Sequence, residues 1–118
     1  MRAMERFLEE RVVPATEGQV KFHARVSVNV LRILQRELEL EEDSVRREWS
    51  SLDTLLGEQP VPETLRELKS ELLARNEQLA QRVQAGDADG GEWGDKVFTH
   101  VKQTVRDKAA IADPRLLE

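Results

Sequence analysis

The sequence predicts an all-α protein, a single domain built as a bundle of about five helices joined by short turns. Leu, Glu, Arg, Ala and Gln dominate the composition, and these residues have high helix propensity. Aromatic residues make up only 4% of the chain and Tyr is absent, so the residues that strands favour are scarce. The 118 residues match the usual size of one domain, which can bury a hydrophobic core without disulfides.

Apolar residues at helical spacing predict the first two helices. The first runs from about Arg2 to Val13, where Pro14 ends the pattern. Thr16 and Gln19 have the spacing of a capping box and open a second helix, from Gln19 to Leu40. On a helical wheel the apolar residues of this segment cover a wide arc, which predicts a central helix packed on more than one side. They are Phe22, Val26, Val30, Leu31, Ile33, Leu34, Leu38 and Leu40.

A third helix is predicted after an acidic interruption of this pattern. The interruption comprises Glu41, Glu42 and Asp43, and either Asp43 or Ser44 serves as the helix cap. Gly57 is a suitable residue to end the helix, and a rigid turn with two prolines follows it. The apolar positions of the third helix are Val45, Trp49, Leu52 and Leu56.

Two more helices complete the predicted bundle. Pro62 is well placed to begin the fourth, which carries a heptad-like seam from Leu65 to Val83 and ends near Gly86. A flexible loop is predicted over residues 87–94, because it contains three glycines and three acidic residues. The last helix begins at Lys96 and ends at Asp113.

Composition and charge argue against several classes of function. The net charge is -5 with acids and bases interspersed, whereas a nucleic-acid-binding protein needs clustered basic residues. The row of Arg25, Arg32 and Arg36 is interpreted as a solvated helix face. Cysteine is absent, which rules out disulfides and thiolate metal sites and fits a reducing cytoplasm. No apolar run reaches the ~18 residues of a membrane span, and the first ten residues lack a signal-peptide core, so we expect a cytoplasmic protein.

No catalytic or metal-binding motif is present in the sequence. The two histidines, His23 and His100, fall in different predicted helices, and no zinc-protease, phosphate-loop or nucleophile-elbow pattern occurs. The acidic stretch after residue 86 fails as a calcium loop because Gly91 and Phe98 occupy positions that must supply oxygen ligands. The sequence therefore favours a non-enzymatic protein without a cofactor or metal.

Two charged residues fall inside predicted apolar arcs. Glu37 lies between Val26 and Val30 on the wheel of the second helix, and Lys108 lies between Val97 and Val101 on that of the last. Because an unpaired buried charge is costly, each is predicted to have a partner, with the other residue as one candidate. An acid and a base lining a pocket is one interpretation, and a structural ion pair that fixes helix register is the favoured one.

Four other residues receive individual predictions. His23 is interpreted as a hydrogen-bonded core histidine, with Ser27 one turn away as its partner, rather than as a catalytic group. Asn29 borders the apolar arc, where it could bond a neighbouring helix or contribute to a groove. Trp49 is assigned to the core. For Trp93, on the predicted loop, an interface role and a role as a loop anchor stay equally open.

The sequence resembles a family of small uncharacterised bacterial helical proteins, a domain of unknown function. The segments that carry the resemblance are Phe7–Glu10, Pro14–Ala15, Phe22–Val26, Asn29–Leu31, Arg36–Leu38, Val105–Arg106, Lys108, Ile111–Ala112 and Pro114–Leu116. The region from residue 41 to residue 94 is not distinctive. Asp113 departs from the asparagine expected before Pro114. Matching polar residues form the candidate functional cluster, namely His23, Arg25, Asn29, Arg36, Glu37, Lys108 and Arg115.

The resemblance implies a role by association, since members of the family are often encoded beside acyl-CoA dehydrogenases and kinases similar to aminoglycoside phosphotransferases. It therefore favours an accessory protein that docks on such a partner. An alternative is a bundle that binds an acyl or CoA-type ligand, in which Arg25, Arg36 and Lys108 meet phosphate or carboxylate. A third is an enzyme with His23 or Glu37 as general base. Self-association into a homodimer through the seam that ends at Val83 also stays open.

Overall fold

The protein is described here by a computed structural model that covers residues 1–118 and contains four α-helices and no strand. The helices are α1 (Arg2–Phe7, continued by a π-helix over Leu8–Val12), α2 (Gly18–Leu56), α3 (Leu65–Gln84) and α4 (Gly91–Ala112), and a 3-10 turn (Pro114–Leu117) follows. The all-α class is confirmed. The count of about five helices is wrong, because the predicted second and third helices form one continuous helix.

The acidic run at residues 41–43 is part of α2 and does not interrupt it. Glu41 forms an ion pair with Lys69 of α3 (2.5 Å), and Glu42 pairs with Arg46 one turn along the same helix (3.1 Å). Glutamate has a high helix propensity, so a run of acids on a helix surface does not break the backbone. Near these residues the buried face of α2 changes: α1 covers one face before the run, and α3 and α4 cover another face after it.

Two of the predicted helix starts differ in the structure. Thr16 does not cap α2, since its hydroxyl donates a hydrogen bond back to the carbonyl of Val12 (2.7 Å). The cap of α3 is Thr64, whose side chain accepts a hydrogen bond from the amide of Glu67 (3.1 Å), so Pro62 precedes the helix instead of beginning it. The prediction that Gly57 ends the third apolar pattern is confirmed: it directly follows α2, with φ 98°.

The core lies between the C-terminal half of α2, α3 and α4. Its members are Trp49, Leu52, Leu55, Leu68, Leu72, Leu79 and Val97. The helix α3 runs parallel to α2, because Lys69 meets Glu41 and Asn76 meets Glu48. The short turns of the predicted bundle imply that consecutive helices are antiparallel. This is wrong for α2 and α3, because the segment 57–64 is long enough to return along α2 before α3 begins. The helix α4 is antiparallel to α2.

The N-terminal half of α2, residues 18–36, is packed on one side only. Ala24 and Val28 are buried there, on the side of α1 and its π-helix, and Arg32 pairs with Glu5 (2.5 Å) and Glu9 (2.7 Å). The prediction of a central helix packed on more than one side is therefore wrong for this half. Its other face projects beyond α3 and α4, and the molecule measures 58 × 32 × 21 Å.

Trp93 lies in the first turn of α4 and not on a loop, because the helix begins at Gly91. Its indole N–H donates to the carbonyl of Leu55 (3.1 Å), and the guanidinium of Arg82 lies 4.0 Å from the ring centre. Trp93 therefore anchors the start of α4 to α2 and α3, which is the second of the two roles left open. The connection between α3 and α4 is shorter than the predicted loop.

Candidate functional groove

A groove of about 480 Å³ lies between α3 and α4, with α2 as its floor. Both helices pack on α2, yet no Cα atom of α3 comes within 8 Å of one of α4. The groove is therefore open at the position where a fourth helix would complete a four-helix bundle. Its lining comprises Glu37, Glu41, Ser44, Val45 and Glu48 of α2, Lys69, Ser70, Leu72, Leu73 and Asn76 of α3, and Thr104, Asp107, Lys108 and Ile111 of α4.

Acidic side chains outnumber basic ones in this groove. Its carboxylates belong to Glu37, Glu41, Glu48 and Asp107, and its ammonium groups belong to Lys69 and Lys108. The pKa of Lys69 is raised by its hydrogen bond to Glu41, then by the charges of Glu41 and Glu37. The excess of negative charge makes the groove a better site for a cation than for an anion.

Glu37 and Lys108, the two charged residues predicted to lie inside apolar arcs, line the same groove. Neither forms a hydrogen bond or an ion pair within the chain, while Glu41, Glu48 and Asp107 all have partners. The prediction that each is paired is therefore wrong, and so is the favoured interpretation of a structural ion pair. A groove open to solvent explains this, because both charges keep their hydration.

Arg36 and Arg115 both form hydrogen bonds at the C-terminal end of α4. The guanidinium of Arg36 donates to the carbonyls of Ile111 (2.8 Å) and Ala112 (3.4 Å), which have no partner within the helix. Arg115 pairs with Asp113 (2.9 Å) and lowers the pKa of that carboxyl, mainly through the hydrogen bond between them. Because Asp113 is charged, it can form this ion pair where the expected asparagine could only hydrogen-bond.

His23, Arg25 and Asn29 are exposed to solvent on the N-terminal half of α2 (residues 18–36), which we call the free half of α2. Position 23 is fourteen residues from Glu37, or about 21 Å along the helix axis. The ring of His23 contacts the edge of Phe22, and Ser27 donates its hydroxyl hydrogen bond to the His23 carbonyl instead of the ring. The prediction of a hydrogen-bonded core histidine is wrong. The seven residues of the candidate cluster thus do not form one site.

The buried histidine is His100, for which the sequence predicted no role. Its Nδ1 shares a hydrogen bond with the hydroxyl of Ser51 (2.7 Å), linking α4 to α2. Burial lowers the pKa of this histidine, against an opposing effect from the charge of Glu48. A serine beside a histidine is a nucleophile beside a base, yet no carboxylate accepts a hydrogen bond from the second ring nitrogen, so the group that orients a catalytic histidine is missing.

Arg75 is the other buried polar residue, 3% exposed. It donates to the carboxylate of Asp53 (2.8 Å) and to the carbonyl of Gly57 (2.9 Å), and so fixes the turn after α2. A signal for it was present, because position 75 completes the seam of Leu68, Leu72 and Leu79 at heptad spacing. Arg75 is the one charged member of that seam.

The family model described as domain of unknown function (DUF6285) matches residues 14–116. The chain belongs to this family, and the resemblance seen in the sequence is confirmed at that level. The match includes the central region from residue 41 to 94 and excludes the segment Phe7–Glu10. No curated protein and no solved structure matches the chain significantly. None of its helices combines the length and low charge that a membrane span requires.

Proposed function

We propose that this protein is a non-catalytic interaction module, an accessory subunit that works through exposed apolar helix faces. The observation that carries the proposal is the extent of its surface. A globular monomer of 13.5 kDa exposes about 6,500 Å², whereas this chain exposes 8,589 Å². Its radius of gyration is 19.0 Å, against about 13 Å for a compact domain of this length.

Many large hydrophobic side chains are exposed on this surface. Two stripes contain several of them: one on the free half of α2, and one on the outer side of α4, where Phe98 is 70% exposed beside Val101 and Val105. Contiguous exposed apolar surface is uncommon in monomers and marks sites of association. Polar groups arranged for catalysis are missing from both stripes, which supports binding over chemistry.

The resemblance supplies two classes of partner, a phosphotransferase-like kinase and an acyl-CoA dehydrogenase, and we propose that one of them docks on the α4 stripe. Co-expression with each, followed by size-exclusion chromatography, tests this. We expect one of the two to co-elute with the wild-type chain. The variant Phe98→Glu places a charge in the contact and should abolish co-elution. Lys96→Glu, an exposed position on the opposite side of the same helix, should not. Failure of both classes to co-elute contradicts the accessory role.

A second candidate function, the binding of a small molecule, is favoured by the groove itself. The groove provides the cavity beside Glu37 and Lys108 that such a role requires, and ligand sites in bundles lie between helices. Its charge does not suit a CoA-type ligand, because the phosphates of CoA would meet an excess of carboxylates. Arg25 and Arg36, predicted to contact such a ligand, do not line it. A ligand with an amine and an apolar chain fits better.

Thermal unfolding in the presence of an alkylamine, or of an acyl-CoA with the same chain length, distinguishes these options. Binding to the groove raises the melting temperature with ligand concentration. We expect the alkylamine to do so and the acyl-CoA not to. The variant Glu37→Gln should remove the shift if the amine sits at that carboxylate.

A further inference from the structure

We propose that the groove is filled by a second copy of this chain: in a twofold dimer, the free half of α2 from each copy inserts between α3 and α4 of the other. This inference rests on the proposed interaction role and names the partner of one of its two surfaces. It requires that the inserted helix has a matching apolar face, that the lengths agree and that the charges are complementary.

The free half of α2 carries a ridge of apolar side chains four residues apart. Phe22 is 63% exposed, Val26 43%, Val30 47% and Leu34 41%. Residues at this spacing form the ridges by which helices pack into the grooves of their neighbours. The face continues along the same side of α2 to Glu37 and into the groove floor, so stacking two α2 helices on this face places both grooves in the contact.

The geometry of α2 determines where each half would lie. The helix spans residues 18–56, so its midpoint is Glu37. A twofold axis perpendicular to α2 at the midpoint sets residue 30 of one copy opposite residue 44 of the other, and residue 26 opposite residue 48. Residues 26–36 of each helix then lie along residues 38–48 of its partner, which form the groove floor. This contact is isologous, as in most homodimers, and it completes a four-helix bundle at each end.

The two halves of α2 carry opposite charge. Residues 18–36 contain four basic side chains and no acidic one, whereas residues 37–56 contain seven acidic and two basic side chains. Arg32 and Arg36 are bonded within the chain, whereas Lys21, Arg25 and Glu37 form no ion pair. Lys21 and Arg25 lie on the side of α2 away from the ridge, so the complementarity acts between the two halves and not through ion pairs inside the contact. An antiparallel arrangement brings the basic half of each copy to the acidic half of the other, while a parallel one would oppose like charges.

The surface area agrees with a permanent dimer. The chain exposes about 2,000 Å² more than a monomer of its mass, and obligate homodimers bury roughly 1,000–2,500 Å² on each partner. The α4 stripe accounts for part of this surface, and the groove and the α2 ridge, which adjoin each other along α2, account for another part. A small ligand of the groove would cover only a fraction of it and would leave the ridge exposed.

The mass of the full-length protein in solution is the first test, measured by light scattering during size-exclusion chromatography. We expect about twice the chain mass of 13.5 kDa. Val30→Glu buries a charge in the contact and should give a monomer, while Val20→Glu, an exposed valine of the same helix off this face, should stay dimeric. A dimer that survives Val30→Glu overturns the proposed arrangement. Since neither valine is buried within the chain, both variants should keep the helical content of the wild type.

Cysteine cross-linking tests the register independently, because the natural chain has no cysteine. The double variant Val30→Cys, Ser44→Cys should form disulfide-linked dimers on mild oxidation, since the two positions meet across the interface. Val30→Cys alone should not, because the axis places its two copies about 21 Å apart. Disulfide-linked dimers of Val30→Cys alone would show a parallel contact, and their absence in the double variant would show a different register. Either result overturns the proposal.

A monomeric wild-type protein separates the failure of this inference from that of the proposed function. If the monomer binds an apolar dye and loses that binding in the Val30→Glu variant, the dimer is wrong but an interaction face is present. If the monomer binds no dye, the exposed ridge is absent in solution, and both the dimer and the interaction role are overturned.

Discussion

The guanidinium of Arg75 lies 4.5 Å from the centre of the Trp49 ring, so a buried charge and a buried indole form one contact in the middle of the core. The indole N–H of Trp49 donates to the carbonyl of Gln59 (3.3 Å), and Arg75 bonds Gly57 and Asp53. Both side chains thereby hold the segment that returns along α2. The parallel course of α3 depends on this arrangement, because that segment sets where α3 begins.

Replacing Asp53 should therefore lower the free energy of unfolding. In Asp53→Ala the Arg75 guanidinium stays buried without its charged partner, and its Nε atom has no hydrogen bond to begin with. Removal of one member of a buried ion pair costs about 3–5 kcal/mol; because Asp53 is partly exposed, we expect about 2–3 kcal/mol, measured by urea unfolding. The control is Glu42→Ala, which removes an exposed pair and should cost under about 0.5 kcal/mol. Equal losses in the two variants would contradict the central role of Arg75.

The continuity of α2 through its acidic run gives a second prediction. Glu42 is exposed in the interior of the helix, so Glu42→Pro should lower the free energy of unfolding by about 3 kcal/mol or more through the lost hydrogen bond and the ring clash. Glu42→Ala serves as the control, since alanine keeps the helix. If two helices met at this point, as the apolar pattern predicted, the proline would be tolerated. Urea unfolding with helical content measured by circular dichroism separates the two cases.

The cap of α3 gives a third prediction. Thr64→Ala removes the side-chain acceptor of the Glu67 amide and should cost about 1 kcal/mol in urea unfolding. Thr99→Ala is the matched control, because Thr99 is exposed within α4 and its hydroxyl bonds a carbonyl of its own helix, so its loss should change little. A loss as large for Thr99 as for Thr64 would argue against the assigned cap.

Local patterns were sufficient for the helical class and for some helix ends, but not for the number of helices or their arrangement. The all-α class, the end of α2 at Gly57 and the core position of Trp49 follow from propensity and periodicity, which act within one turn or two. The prediction of a helix break at Glu41–Asp43 was wrong because a change of the buried face and a break in a helix produce the same interruption of an apolar pattern. The direction of α3 depends on contacts of Arg75 that are distant in sequence.

Residues 19–40 do form a helix with a wide apolar arc, but much of that arc is not covered by any other part of the chain. Periodicity reports which residues are selected for burial, and it cannot say whether another helix of the same chain or a second chain covers them. The proposed dimer would cover Val26 and Val30 and would account for the arc. The same argument applies to Glu37 and Lys108: the wheel identified them as charges in apolar surroundings, but their unpaired state within the groove depends on how α3 and α4 diverge.

The last prediction concerns pH and His100. Burial lowers the pKa of this histidine below its ordinary value of 6.5, with the charge of Glu48 acting in the opposite direction. Near and below pH 6.5 the unfolded chain therefore binds more protons than the folded one, and the free energy of unfolding falls as the pH is lowered. The fall begins near pH 6.5, has a slope of at most about 1.4 kcal/mol per pH unit and ends below the folded-state pKa. Above about pH 7.5 this histidine contributes no pH dependence.

Urea unfolding between pH 5 and pH 8 measures this effect. His100→Gln, which can still share a hydrogen bond with Ser51, should flatten the profile in the range below pH 6.5 even if it lowers stability at every pH. His23→Gln, on the exposed half of α2, should keep the wild-type profile and serves as the control. A wild-type slope that persists in His100→Gln would show that His100 is not its source.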